Sequence, residues 1–372
     1  MSKSMASTVP TDKRHFEADL IRSDAKAVLY LVFAIAAYVV SLIVIVSDVH
    51  WVFRLVSVLL HTISITVFFT IGHDCVHNAF FTWRFLNRWV GRFAFGFLFH
   101  SSSLWKQVHN INHHGRTNLK GVDDVWAPFS PEEFRALPQW RQWLERFYRG
   151  PFGHLIYYQC QYLFPKVMLP FQPETRLHWR KHFFDSFFIV VFGAMLISLT
   201  LGLKVLLNPD GSWWLVFLLA GLIPFMLWNA LLSFTIYVQH TNPHVHWFNR
   251  LEDWSHHNGH VRGTVDTLLP AGFIPLYTNV MRHTAHHDDP TIPVYCLTAA
   301  QEHLNARHGD DITQFKVNGR EYWDIVRACK LYDYDKRCWT DFEGVPTSTT
   351  YYERFNLPAD AFEADSRAGS MA

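Results

Sequence analysis

Histidine carries the clearest chemical potential in this chain: there are 23 in 372 residues, many of them clustered. His73 and His77 bracket Asp74, Cys75 and Val76; His109 precedes His113 and His114; His283 precedes His286 and His287. His240 lies apart, between Gln239 and Thr241. Neutral imidazole is a good ligand for iron or zinc. If each cluster lies on an α-helix, His73/His77, His109/His113 and His283/His287 are spaced i, i+4, point the same way and can grip one ion. One such pair arises easily by chance in a histidine-rich chain; three of them plus His240 do not. Nine imidazoles exceed what one metal can use. With about five or six positions per iron, some left open for oxygen, nine suit two ions.

Other metal chemistries fit less well. A structural zinc site is closed by four ligands, usually including cysteine. The five cysteines, Cys75, Cys160, Cys296, Cys329 and Cys338, form no CxxC pair and read as free thiols or small buried hydrophobes. Carboxylate-bridged di-iron bundles use paired Glu-x-x-His motifs, which are missing. The nearby acids Asp74, Asp123, Asp124, Asp288 and Asp289 are expected to accept the N–H of ligand imidazoles and so set their tautomers.

The remaining histidines are set against that pattern. His178 and His182 repeat the i, i+4 spacing but are assigned to packing with Trp179. His244 and His246 are expected to line the site or a nearby surface. His256, His257 and His260 form an HHxxH run, the strongest competitor to the nine and left outside the ligand set. His303 and His308 lie in a polar tail and are expected to be solvated.

Four apolar stretches must position the clusters, at about 27–46, 51–72, 183–207 and 213–238. Each approaches the roughly 20 residues needed to cross a bilayer. Short turns at 47–50 and 208–212 join them into two hairpins. The stretches are apolar all round, which argues against buried helices of a soluble protein. Arg54, Asp185 and Lys204 lie near span ends, where charged side chains can snorkel, and His61 is expected to face the bundle interior. The two turns hold no Lys or Arg, whereas Lys13, Arg14, Arg22, Lys26, Arg84, Arg88, Arg92, Lys106, Arg116, Lys120, Arg176, Arg180 and Lys181 lie on the other side. The positive-inside rule makes that side cytoplasmic, with both termini and the long middle loop. All three clusters and His240 fall on it. Residues 89–102 and 154–171 are apolar but interrupted, and are expected to lie at the interface or against the cytoplasmic portion.

The fold class that results is all-α: a multi-pass membrane protein with four transmembrane helices in two hairpins and a cytoplasmic helical cap carrying the histidine site. A polar segment, 1–26, precedes a membrane domain, 27–296, and a cytoplasmic tail, 297–372. The first segment lacks the pattern of a signal peptide and is expected to be soluble. Hydrophobic residues at 49% and aromatics at 16% suit a membrane protein with aromatic belts. A net charge of +1 gives no electrostatic case for a nucleic-acid partner.

These motifs resemble the membrane fatty acid desaturase family, nearest to its delta-12/omega-3 acyl-lipid branch and related hydroxylases. Beyond the three boxes, Gly72-His73-Asp74-Cys75 is similar to the family's glycine–histidine–acid opening. Val238-Gln239-His240-Thr241-Asn242-Pro243 resembles its QHTxP stretch, and Arg262-Gly263-Thr264-Val265-Asp266 its glycine-then-TVD stretch. Ile292-Pro293 and Tyr295 after His286-His287 continue the likeness, which covers about 72–295. Asn78 stands where that branch often has a further histidine, 255–260 looks like an insertion, and the tail after about 297 carries no motif that can be placed in that branch.

The resemblance implies a di-iron centre held by His73, His77, His109, His113, His114, His240, His283, His286 and His287, with O2 as co-substrate, and hydrogen abstraction from a methylene of a fatty acyl chain carried on lipid, CoA or acyl carrier protein. It names no catalytic residue beyond the metal centre. Without a haem or flavin motif, electrons are expected from a separate protein such as ferredoxin or cytochrome b5, with the basic cytoplasmic residues as a docking face. Two alternatives stay open: a related di-iron hydroxylase, acetylenase or ketolase acting on an acyl chain, alkane or carotenoid, and a metal-binding membrane transporter. The chain has no dilysine-type C-terminal signal, which favours a bacterial inner membrane over endoplasmic reticulum.

Overall fold

The structure, a computed structural model, describes residues 20–270, 272–273 and 275–358. The expectation for 1–19 lies outside it. Among the described residues four helices are long and apolar enough to cross a membrane: Asp24–Val46, Trp51–Val76, Trp179–Leu207 and the composite Trp213–His240. Their outward faces carry large apolar side chains, among them Val32 and Val40 on the first, Val56 and Leu59 on the second, and Phe187, Val191 and Ile197 on the third. A surface so continuously apolar belongs in lipid. The protein is a membrane protein.

The first two spans pack along their length through the turn at 47–50. The third and fourth are joined at 208–212 but rest mainly on different neighbours. The third packs on the first span and on Arg84–Gly96; the fourth packs on the second span and on His154–Tyr158. Arg84–Gly96 lies close against the second span because glycines face the contact. A Cβ at Gly91 would come within 2.8 Å of the Cys75 Cβ, and one at Gly72 within 2.3 Å of the Phe95 ring. His61 is buried inside the bundle, its Nδ1 2.8 Å from Ser41 Oγ and its ring 4.3 Å from that of Tyr38. Asp185, near the start of the third span, pairs with Arg92 at 2.6 Å.

The fourth span is not a uniform α-helix. Residues Phe217–Leu222 form a π-helical segment before Ile223–His240, which starts with Pro224 in its first turn. Pro224 has no N–H to donate to the preceding turn, so the regular α-helical bonding is interrupted where the π-helical segment ends.

Residues 297–358 are folded against the rest. Strand β1 (Val265–Leu268) pairs in parallel with β2 (Thr313–Lys316). Strands β3 (Leu331–Asp333) and β4 (Cys338–Thr340) form an antiparallel hairpin. The Trp339 indole N–H donates to Val245 O at 2.8 Å, and His246 Nδ1 lies 3.1 Å from Arg337 O. His246 therefore braces this segment and does not line the histidine site. None of the five cysteines is in a disulfide.

Candidate metal centre

The second span continues through His73 and ends at His77, so both rings rise from one face of its last turn. Asn78 then adopts a left-handed backbone (φ 56°). Asn is one of the few residues that takes this conformation readily, and it terminates the helix.

The second cluster departs from the expected α-helix. Lys106–His113 is π-helical, and His114 N–H donates to His109 O at 2.8 Å. A π turn closes one residue later than an α turn. Residues four and five beyond His109 therefore straddle its direction, and all three rings can serve one face. The third cluster lies on the short helix His283–Asp288, and His240 is the last residue of the fourth span.

These elements bring all nine histidines together in two groups. His73, His77, His109, His114 and His286 form one; His113, His240, His283 and His287 form the other, with candidate ligand atoms within 4.8 Å of one another in each. His73 and His77 fall in one group, as do His283 and His287, whereas His109 and His113 fall in different groups and His109 shares its group with His114.

In the first group the Nε2 atoms form a chain: His73 to His109 at 2.8 Å, His109 to His114 at 3.2 Å, His114 to His286 at 3.1 Å. In the second, His240 and His283 Nε2 approach to 2.9 Å. An imidazole nitrogen is either an N–H donor or a lone-pair acceptor. Hydrogen bonds cannot satisfy every link of the chain with one proton and one lone pair per contact, whereas a cation lets every lone pair point inward. His77 Nε2 and His287 Nε2 are also buried without a hydrogen-bond partner. Burial, reinforced by the surrounding imidazoles, pushes His109, His114, His283, His286 and His287 well below the usual histidine range. They are neutral at pH 7, the form that binds metal. The donor set fits two metal ions.

Two of the five acids occupy the expected tautomer-setting places. Asp74 Oδ1 lies 3.1 Å from His73 Nδ1, and Asp123 Oδ2 lies 3.0 Å from His113 Nδ1. Each accepts Nδ1–H and leaves Nε2 for the site. Asp123 is itself held by the backbone N–H groups of Asn118 and Val125, and Asp74 by that of Val294. Asp124 pairs instead with Lys166, and Asp289 closes a local turn with Thr291. Asp288 makes no described contact with the histidines.

His182 bonds Ser103, His178 is exposed, and Trp179 packs on Phe183 rather than on either histidine. His260 was set aside from the sequence, yet its Nδ1 lies 3.2 Å from His287 Nδ1. The signal that could have found it is the HHxxH run itself. Thr117, whose Oγ1 is 3.1 Å from His287 Nδ1, carried no signal.

Below the first group runs a narrow cavity bounded by His73, His109, His283 and His286, then by Phe69, Trp105, Trp228, Leu231, Leu232 and Ile236. Its hydroxyls are turned away. Thr66 and Thr70 donate to carbonyls one turn back in the second span, and Thr235 to Leu231 O. Tyr277 bonds Thr235, Gln239 donates to Val280 O and Asp74 accepts from Val294 N–H, and the rest of the lining is apolar.

A model of the family described as fatty acid desaturase matches residues 49–315, well over half of the chain. The chain belongs to the fatty acid desaturase family. It is an oxidoreductase of the delta-12/omega-3 branch. It is 28% identical over 88% of its length to the chloroplastic omega-6 fatty acid desaturase of Glycine max, covering 73% of that protein. It is 29% identical over 73% of its length to the sn-1 oleoyl-lipid 12-desaturase of a Picosynechococcus species, covering 74% of it. A Synechocystis relative, an sn-1 acyl-lipid omega-3 desaturase (ferredoxin), is 25% identical over 75% of the chain and is covered for 72% of its own length. The desaturase motifs acquire structural roles here. Gln239 donates to Val280 O at 3.0 Å, holding the fourth span against the third box. Buried Asp266 pairs with Arg282 at 3.2 Å just before that box. Tyr295 donates to Phe80 O and accepts from Ser23 N–H, tying the first span to the end of the second.

Proposed function

We propose that this desaturase removes two hydrogens from adjacent methylenes of a fatty acyl chain, using O2 and a pair of iron ions held by the nine histidines. The observation that carries the reading is the division of those histidines into two convergent groups at the head of an apolar cavity. His73, His77, His109, His114 and His286 would hold one ion; His113, His240, His283 and His287 the other. Iron bound there supplies oxygen activation and the abstraction of hydrogen. The protein's own residues set the ligand tautomers through Asp74 and Asp123 and keep the chain dry between Phe69, Trp105 and Trp228.

Forming an alkene while reducing O2 to two waters takes two electrons and two protons beyond the two hydrogens lost. A separate donor must supply the electrons, and a ferredoxin is favoured by the name of the Synechocystis relative. The charge distribution supports a topology of two hairpins with the histidine end, the basic docking face and both termini cytoplasmic. The proposed division is a polar segment 1–26, a membrane domain 27–296 with a cytoplasmic helical cap, and a cytoplasmic tail 297–372.

The test is expression in a host of defined lipid composition, with mass spectrometry of its acyl chains and metal analysis of the purified protein. A loss of two hydrogens at a fixed position, dependent on O2, with two irons per chain is the expected result. A gain of one oxygen identifies a hydroxylase; zinc alone with no turnover under reductant overturns the reading.

A further inference from the structure

The HHxxH segment that looked like an insertion is a strap across the histidine centre. Trp254 Nε1–H donates to Thr117 O at 2.8 Å, and Asn118 Nδ2 donates to Gly263 O at 2.7 Å. Between them the π-helical turn His257–Val261 lies so close to the second box that a Cβ on Gly259 would meet the Trp254 indole at 2.5 Å and Thr117 O at 2.9 Å. Thr264 Oγ1 donates to His260 O, fixing the turn from its other end. The strap therefore delivers a buried His260, 3% exposed, to the back of His287.

The hydrogen-bond inventory around His287 is specific. Thr117 spends its hydroxyl proton on His113 O at 2.7 Å, so its oxygen can only accept from His287 Nδ1, 3.1 Å away. His260 Nδ1 stands at 3.2 Å from the same nitrogen and 3.4 Å from Thr117 Oγ1. On the other side of the ring, His287 Nε2 is buried with no partner. A proton on Nδ1 has two acceptors; a proton on Nε2 has none.

We infer that His260 is a positioning residue: with Thr117 it accepts the Nδ1–H of His287 and thereby holds His287 in the tautomer whose Nε2 lone pair is free for the metal. This rests on the reading of His287 as a ligand. It places His260 behind the centre as the imidazole counterpart of Asp74 behind His73 and Asp123 behind His113.

The experiment compares His260→Asn, His260→Gln and His260→Leu in the full-length, detergent-purified enzyme, reading ferrous iron affinity by chelator competition and the absorption spectrum of the oxidised centre. An Asn carbonyl oxygen occupies nearly the place of His Nδ1, whereas Gln projects its amide further out. Asn should keep affinity and spectrum close to those of the unmodified protein, while Leu and Gln weaken iron binding about 10- to 100-fold and shift the spectrum. Adding Thr117→Val to His260→Leu should weaken it further than either change alone. Unchanged affinity in His260→Leu, better retention in Gln than in Asn, or a third iron lost with His260 would each overturn the inference. If Leu proves too disruptive to purify, the Asn–Gln contrast still decides. An unmodified protein that binds no iron at all would instead sink the proposed function, whereas tight binding in His260→Leu sinks this inference alone.

Discussion

The Nε2 atoms of His73 and His109 lie 2.8 Å apart, although 36 residues and a change of helix separate them. One such contact alone is an N–H···N hydrogen bond, but the run from His73 through His109 and His114 to His286 has more links than its protons and lone pairs can satisfy one for one, and a cation lets every lone pair point inward. From this contact and its neighbours the first prediction follows. Replacing His286 or His113 by Ala, one from each group, should abolish desaturation and lower the iron content of the purified protein. His178→Ala, at an exposed position away from both groups, should change neither. Metal analysis alongside product profiling checks this, and full activity in His286→Ala would refute the ligand assignment.

The acids behind the rings should matter almost as much. Asp123→Asn can no longer accept the Nδ1 proton of His113 as a full carboxylate, and Asp74→Asn has the same defect behind His73. Each is expected to weaken iron binding or activity about 10- to 100-fold. Asp124→Asn, whose carboxylate faces Lys166 instead, should leave iron binding unchanged in the same chelator titration.

Close helix approach beside the first box requires glycine. In Gly72→Leu a bulky side chain must displace the Phe95 ring, which already lies within 2.3 Å of where a Cβ would sit. Overpacking of this kind costs about 1–3 kcal/mol, and the neighbouring His73 should be dislodged with it. A lower thermal midpoint and substoichiometric iron are the expected readings; a variant with normal iron loading would show that the contact relaxes without moving the second span.

The cavity predicts a chain-length effect. Leu232→Trp adds bulk to its wall without touching a histidine. Iron content should stay at the level of the unmodified protein while turnover falls, most strongly for long acyl chains. Conversion measured across a series of chain lengths provides the comparison.

Acid should destabilise the metal-free protein through histidines outside the centre. Burial pushes His100 down to about 4 and His246 down to about 3, each only partly offset by a backbone carbonyl. Both are neutral at pH 7 whether the chain is folded or not. As pH falls below about 6.5 the unfolded chain takes up their protons and the folded chain does not, so stability falls. The loss continues to about pH 4 for His100 and about pH 3 for His246, at about 1.4 kcal/mol per pH unit for each. The thermal midpoint of the metal-free protein should therefore drop between pH 7 and pH 5, and His100→Gln should make that drop shallower.

Residue spacing, the side of the membrane on which the clusters fall and the family resemblance together selected the nine histidines, because metal chemistry needs many imidazoles and a bilayer leaves few ways to arrange four apolar stretches. The spans were legible for the same reason: twenty apolar residues in a row have little other use. What spacing could not reveal was the partition between the groups. Assigning His109 and His113 to one ion assumed an α-helix, and the backbone there is π-helical, which turns His113 toward His240 and leaves His114 with His109. His260 was equally hidden. It reaches His287 only because the strap is pinned to Thr117 and Asn118 by contacts that span more than a hundred residues. The sequence by itself determined which atoms could bind metal; the tertiary structure decided how they are shared and what holds them, because both depend on contacts between segments far apart in the chain.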